Sequence, residues 1–204
     1  MALTITGSEV DAWALNATNT VRIGTTVDCS DSYQSVLHID MALGTHATAH
    51  IGTRVLVQCS SSAADNEFWT ERQDFIALVG TADTEAITNN PLAAAATVIT
   101  VASTTGYVPG DGDVPTLLCL LIDNTVANSE LVRAVSHVDN TSITLMEGVK
   151  REHANTAVLT NVAKTYAIDL PLGTIRARVI YDNEYDTAGS GIYTRTRISK
   201  TTAL

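Results

Sequence analysis

Charge is scarce in this chain of 204 residues: Asp, Glu, Lys and Arg together make up 17%, against about 25% in an ordinary soluble domain. A sparsely charged exterior suggests that much of the outside is covered by another molecule. Aromatic residues are scarcer still, at 5%, which leaves little for a sugar-binding or base-stacking platform. No Walker loop, GxGxxG or GxSxG occurs, so neither a phosphate cradle nor a nucleophile elbow is expected. The cysteines, Cys29, Cys59 and Cys119, are odd in number and lack CxxC spacing, which excludes a zinc ribbon and a disulfide framework. Each lies in or beside an apolar run, so buried free thiols are expected. The longest apolar stretch, Leu117 to Ile122, is far short of the roughly 20 residues that span a bilayer as a helix. Met1 to Thr6 lacks the basic and apolar regions of a signal peptide.

What is present is β-branched and acidic. Thr, Ala and Val are abundant within a 45% hydrophobic composition, a mixture that favours half-buried strands over helices. The net charge of −10 argues against nucleic acid as a partner, because phosphate binding needs a basic footprint. The acid is unevenly placed: residues 1–170 hold 7 basic against 19 acidic side chains, and residues 171–204 hold 5 against 3. A basic C-terminal segment on an acidic body is suited to setting the register of a protein contact.

Strand periodicity dominates from about Val21 onward. Leu37, Ile39 and Met41 share one face of a strand whose other face carries His38 and Asp40, and Val55, Val57 and Cys59 repeat the pattern. Phe75 to Val79 is a third apolar run, and Trp69 before it is expected to plug the end of a core, as is Trp13. One helical turn is expected near Ser8 to Leu15, with Ser8 as cap and Asp11 three residues on. Asn90-Pro91 and the small residues after it mark a crossing into a second unit. From Val98 to Val162 short strands follow at close intervals, the signature of a small barrel or sandwich. Among them Leu117 to Ile122 is continuously apolar, which implies cover on both faces. The expected architecture is all-β: a β-sandwich formed by both chain ends, residues 1–90 plus 165–204, with a small β-barrel, residues 91–164, inserted between them.

The segment from Thr174 to Ser199 reads as a hairpin centred near Asp186 and Thr187. That register places Arg178 opposite Arg195 and Arg176 opposite Arg197, with four cations on one face. Like charges repel across a strand pair, so this face implies acidic neighbours in the same chain or on an adjacent subunit.

Val101-Ala102-Ser103-Thr104-Thr105-Gly106-Tyr107-Val108-Pro109-Gly110-Asp111 resembles a module of tailed-bacteriophage virion proteins. In them a strand, a small-residue turn and a Gly-Asp turn precede an apolar strand. The continuation through Ser129-Glu130-Leu131-Val132-Arg133, Ser142-Ile143-Thr144-Leu145 and Lys150-Arg151-Glu152-His153 is similar too, while the acidic Asp111-Gly112-Asp113 departs from the pattern. The resemblance implies a structural virion protein of the capsid decoration or cement type, assembled in the host cytoplasm. Its implied partners are the major capsid protein and copies of itself, as a homotrimer, with no nucleic acid and no membrane. A neck or tail ring protein is the alternative, and a carbohydrate- or receptor-binding module a second one. Leu3 and Ile5, as an apolar arm, and Arg176, Arg178, Arg195 and Arg197, as charge complements, are the residues expected to bind partners.

Catalysis finds no clear place. His46-Ala47-Thr48-Ala49-His50 has HxxxH spacing but no Glu of a zinc protease, and Gly44 and Gly52 bracket it as a loop. His38 and Asp40 share a strand face without a nucleophile in the right context, and Gly189-Ser190-Gly191 is too short for one. Asp111, Asp113 and Asp123 lack the fixed carboxylate pattern of a calcium loop. No catalytic residue, metal ligand or cofactor is expected, and the protein is read as a non-enzyme.

Overall fold

Alternation of apolar and polar residues drives nearly the whole chain into strands. The computed structural model describes residues 3–64, 68–107, 109, 116–184 and 191–203, which are all-β apart from a 3-10 turn at Val126–Asn128. The first nine strands are β1 (Leu3–Asn16), β2 (Val21–Ile23), β3 (Val27–Asp28), β4 (Gln34–Leu43), β5 (His46–His50), β6 (Thr53–Ser60), β7 (Thr70–Ala77), β8 (Gly80–Ala82) and β9 (Thr84–Ala86). Five more are β10 (Val98–Thr100), β11 (Leu117–Ile122), β12 (Glu130–Val138), β13 (Ser142–Leu145) and β14 (Val158–Thr160). The last are β15 (Ala163–Asp169), β16 (Arg176–Asp182) and β17 (Ile192–Ala203).

Two sheets built from both ends of the chain pack on one core. One has the order β1-β17-β4-β15 and the other β2-β16-β6-β7, with β3 also on β16. Leu37, Ile39 and Met41 of β4 and Ile192 and Ile198 of β17 meet Val55 and Val57 of β6 and Val179 and Tyr181 of β16. Every second residue of each strand points into this layer, and each large apolar side chain buried there is worth about 1.5–3 kcal/mol.

Between these sheets in sequence, β9 to β14 form a six-stranded sheet in the order β10-β13-β12-β11-β14-β9. Its outer strands meet: Ile87, just after β9, bridges Val101, just after β10, and the Thr88 N–H donates to the Thr100 carbonyl at 2.8 Å. The sheet thus closes into a small barrel filled by Ile99, Tyr107, Cys119, Leu121, Ile143 and Leu159. Gly148 is required at its rim, because a Cβ there would collide with the Ala95 backbone. The apolar strand β11 is covered on both faces, as its sequence implies. Cys119 and Leu121 face the barrel interior, while Leu120 and Ile122 pack with Trp13 and Ala42 from the outer face of the four-stranded sheet.

Four sequence expectations are corrected. Ser8 to Leu15 is not helical but part of β1, which pairs along its length with β17, from Leu3 opposite Ala203 to Asn16 opposite Ile192. Long-range pairing overrides the weak local capping signal. His46 to His50 is not a loop but β5, paired with β8. The C-terminal arginines do not share a hairpin. β16 lies between β6 and β2 in one sheet, whereas β17 lies between β1 and β4 in the other, because the connection between them is long enough to cross the sandwich. Trp69 is not a core plug. It is half-buried beneath Arg176 and Arg178, whose guanidinium carbons lie 5.2 and 4.2 Å from its ring centroid, whereas Trp13 is indeed buried. The Leu3 side chain, Gly110 to Asp113, Asp186 with Thr187, and Gly189 with Ser190 lie outside the described residues.

All three cysteines are free and buried. Burial raises the pKa of each, with Cys119 pushed up to about 12. Since the thiolate is the reactive form, the native protein should show no titratable thiol toward an aromatic disulfide reagent at pH 8, and three on denaturation. A fast-reacting thiol in the native state would contradict this packing.

Candidate functional site

The alternation of β17 that sends Thr194 and Thr196 inward sends Arg195 and Arg197 outward, onto the face beside the barrel. Asp40 stands opposite Arg195 on β4 and opposite Thr165 on β15. Its carboxylate is wholly buried and accepts bonds from Arg195 Nε at 2.9 Å, Arg197 Nε at 2.8 Å, Arg197 Nη2 at 2.9 Å and Thr165 Oγ1 at 2.8 Å. Burial raises the Asp40 pKa, but the bonds from Arg197 and Thr165 and the charges of both arginines outweigh it and hold the carboxyl below its usual value. One carboxylate therefore anchors two guanidiniums. Arg195 also lies over Trp13, its guanidinium carbon 4.9 Å from the ring centroid.

A second polar cluster sits where the barrel approaches this face. His153 is buried, with Nδ1 2.8 Å from Asp123 Oδ2 and Nε2 3.0 Å from Glu130 Oε1. Both ring nitrogens are thus occupied by carboxylates, and neither is turned toward the cleft to meet a metal or a substrate. Glu130 also accepts the backbone N–H groups of Lys150 at 2.8 Å and Arg151 at 3.0 Å. The loop after β13 is thereby pinned, with its two basic side chains exposed.

The two clusters frame a cleft of about 420 Å³ lined by Glu9, Ala12, Ala127, Ser129, Glu130, Leu131, Lys150, Arg151, Arg195 and Arg197. Four cations face three carboxylates, counting Asp40 beneath. This is a basic mouth on an acidic protein. Arg151 is tied to Asn128 Oδ1 at 2.9 Å, while the Lys150 amine meets no carboxylate within 4.0 Å among the described residues.

Of the residues expected from sequence to bind partners, only Arg195 and Arg197 come together here. Arg176 is buried, donating to the Ser62 and Ala64 carbonyls, and Arg178 donates to Gln58 Oε1 at 2.9 Å. Both lie on the other sheet. Ile5 is 74% exposed on β1, an outer strand that among the described residues pairs only with β17. His38 contacts Ser199 Oγ at 3.0 Å, but Asp40 is committed to its arginines and does not orient the imidazole. Among the described residues no group of His, Cys, Asp and Glu is arranged to hold a metal. Lys150, Arg151 and the Glu130–His153 pair were missed as site residues, because 23 residues separate that pair and no local spacing announces it.

No family model matches the sequence, and no curated protein does. Among solved structures, the chain is similar to VP17, a capsid protein of bacteriophage P23-77, at 6% identity and a TM-score of 0.22, covering 100% of this chain and 99% of that one. It is also similar to the VP16-VP17 complex of the two major capsid proteins of that phage, at 6% identity and a TM-score of 0.19, covering 98% and 100%. Both TM-scores are too low to carry an inference about fold or role.

Proposed function

We propose that this chain is a non-catalytic structural protein of a tailed-phage virion, a capsid cement or decoration subunit that stabilises the head lattice. In this reading it binds the major capsid protein and its own copies, as a homotrimer, without nucleic acid or membrane. The observation that carries the reading is the outer edge of β1. Thr4 to Ser8 hold no charged residue and no proline, and Ile5, Thr6, Gly7 and Ser8 are exposed. Proteins ordinarily blunt such edges with lysine, proline or a covering loop. An edge left open over this length is suited to accepting a strand from a neighbour. The likeness of Val101 to His153 to virion modules supports the same reading. Cementing then consists of many modest contacts across capsomer joints, each adding buried interface.

We further propose that the chain folds as two units, the sandwich and the inserted barrel. The pairing of β9 with β14 supports drawing the crossing before Thr84 rather than after Asn90, and the return at Ala163, where β15 begins, rather than at 165.

Copy number per particle is the deciding measurement. A cement subunit is present in proportion to the capsomers, and purified protein added to particles lacking it raises their resistance to heat. A single ring's worth of copies would assign it to the neck or tail instead. Failure to bind the shells at all would remove the cement reading.

A further inference from the structure

The cleft between sandwich and barrel holds four of the chain's twelve basic residues. Two come from β17 and two from the loop after β13, so one ligand there would touch both units. Their charge is only partly spent inside the protein. Asp40 serves two guanidiniums with a single carboxylate. Glu130 accepts the Lys150 and Arg151 backbone N–H groups, meets His153 and pairs with the Arg151 guanidinium only at 3.8 Å, while the Lys150 amine meets no carboxylate within 4.0 Å among the described residues. Ala12 and Ala127 keep the walls low enough for a backbone to approach.

We propose that this cleft is a docking site for a carboxylate-rich peptide segment of a partner protein. Guanidiniums pair with carboxylates through two parallel N–H···O bonds, and Arg195 and Arg197 are already held rigid by Asp40, which reduces the ordering cost of binding. The short reach of the cleft and the net charge of −10 around it favour one acidic stretch over a long polyanion, which the rest of the surface repels. The inference deepens the virion reading by giving the chemistry of the partner's contact, and it rests on that reading only for who the partner is. Copies per particle test one, and peptide binding to the isolated protein tests the other.

The experiment titrates the purified full chain with a short poly-glutamate peptide, following the fluorescence of Trp13 beneath Arg195 alongside calorimetry. Binding is expected, weakening as salt rises, and dropping at least about tenfold in the Lys150→Glu/Arg151→Glu double variant. Both substituted side chains are exposed and lie outside the Asp40 network, so the variant should fold, as circular dichroism would verify. The Arg54→Gln variant, altered on the far sheet where Arg54 pairs with Asp74, should bind as the parent does. Three outcomes would each overturn the proposal: no binding, equal binding of a poly-glutamine peptide, or binding untouched by the double charge reversal. Tighter binding of single-stranded DNA would do so too, by assigning the cleft to phosphate.

Discussion

Replacing Asp40 with alanine should cost about 3–5 kcal/mol of stability at neutral pH, the range for removing one partner of a buried ion pair. The variant would leave Arg195 and Arg197 side by side at the cleft wall with no counter-charge between them, and Thr165 without its acceptor. Urea unfolding measures the loss, and a change within 1 kcal/mol would mean that the two arginines simply turn out to solvent. Asp40→Asn keeps the shape while removing the charge, so it separates packing from electrostatics. The pH dependence has a definite sign. Because the folded carboxyl titrates below its ordinary value of 3.8, its stabilisation is complete above that value and disappears as pH falls through the lower, folded one. Parent and Asp40→Asn should therefore differ most at neutral pH and converge in acid.

His153→Ala should be comparably damaging, by about 3–5 kcal/mol, since it empties a buried site and leaves the buried Glu130 and the partly buried Asp123 without the imidazole that both contact. Asp123 has 13% of its side chain exposed and Glu130 has 8%, too little for water to take over. His153→Asn, which can still donate one hydrogen bond, should fall between parent and alanine. The two clusters differ in what else they hold. His153 and Glu130 set the loop carrying Lys150 and Arg151, so a folded His153→Asn protein should also bind acidic peptide more weakly. An undiminished affinity would show that the loop holds its position without the cluster.

How much of this was legible in the sequence follows the range of the interactions. Period-two patterns match the strand faces: Leu37, Ile39 and Met41 inward, Val55, Val57 and Cys59 inward, and β11 covered on both sides. Pairing partners are a different matter. Nothing in Thr174 to Ser199 distinguishes a hairpin from two strands in opposite sheets, because both bury the same alternate residues. The four-arginine face does not form: Arg195 and Arg197 alone meet a carboxylate, Asp40, 155 and 157 residues away, whereas Arg176 and Arg178 turn to backbone carbonyls and Gln58. Ser8 and Asp11 looked like a helix cap because local bonds are all that a local reading sees. In the fold Asp11 instead accepts from the Thr25 backbone and hydroxyl.

The partnership of β1 with β17 also bears on how the molecule is made. All six strands of the β10-β13-β12-β11-β14-β9 sheet precede β17 in the chain, and among the described residues they pair only with one another. Pairing within that sheet can therefore precede the arrival of β17, whereas β1, which lies before it in the chain, must wait for β17, its strand partner among the described residues. During that interval β1 has both edges open, and it is a stretch from which premature association between nascent chains would start.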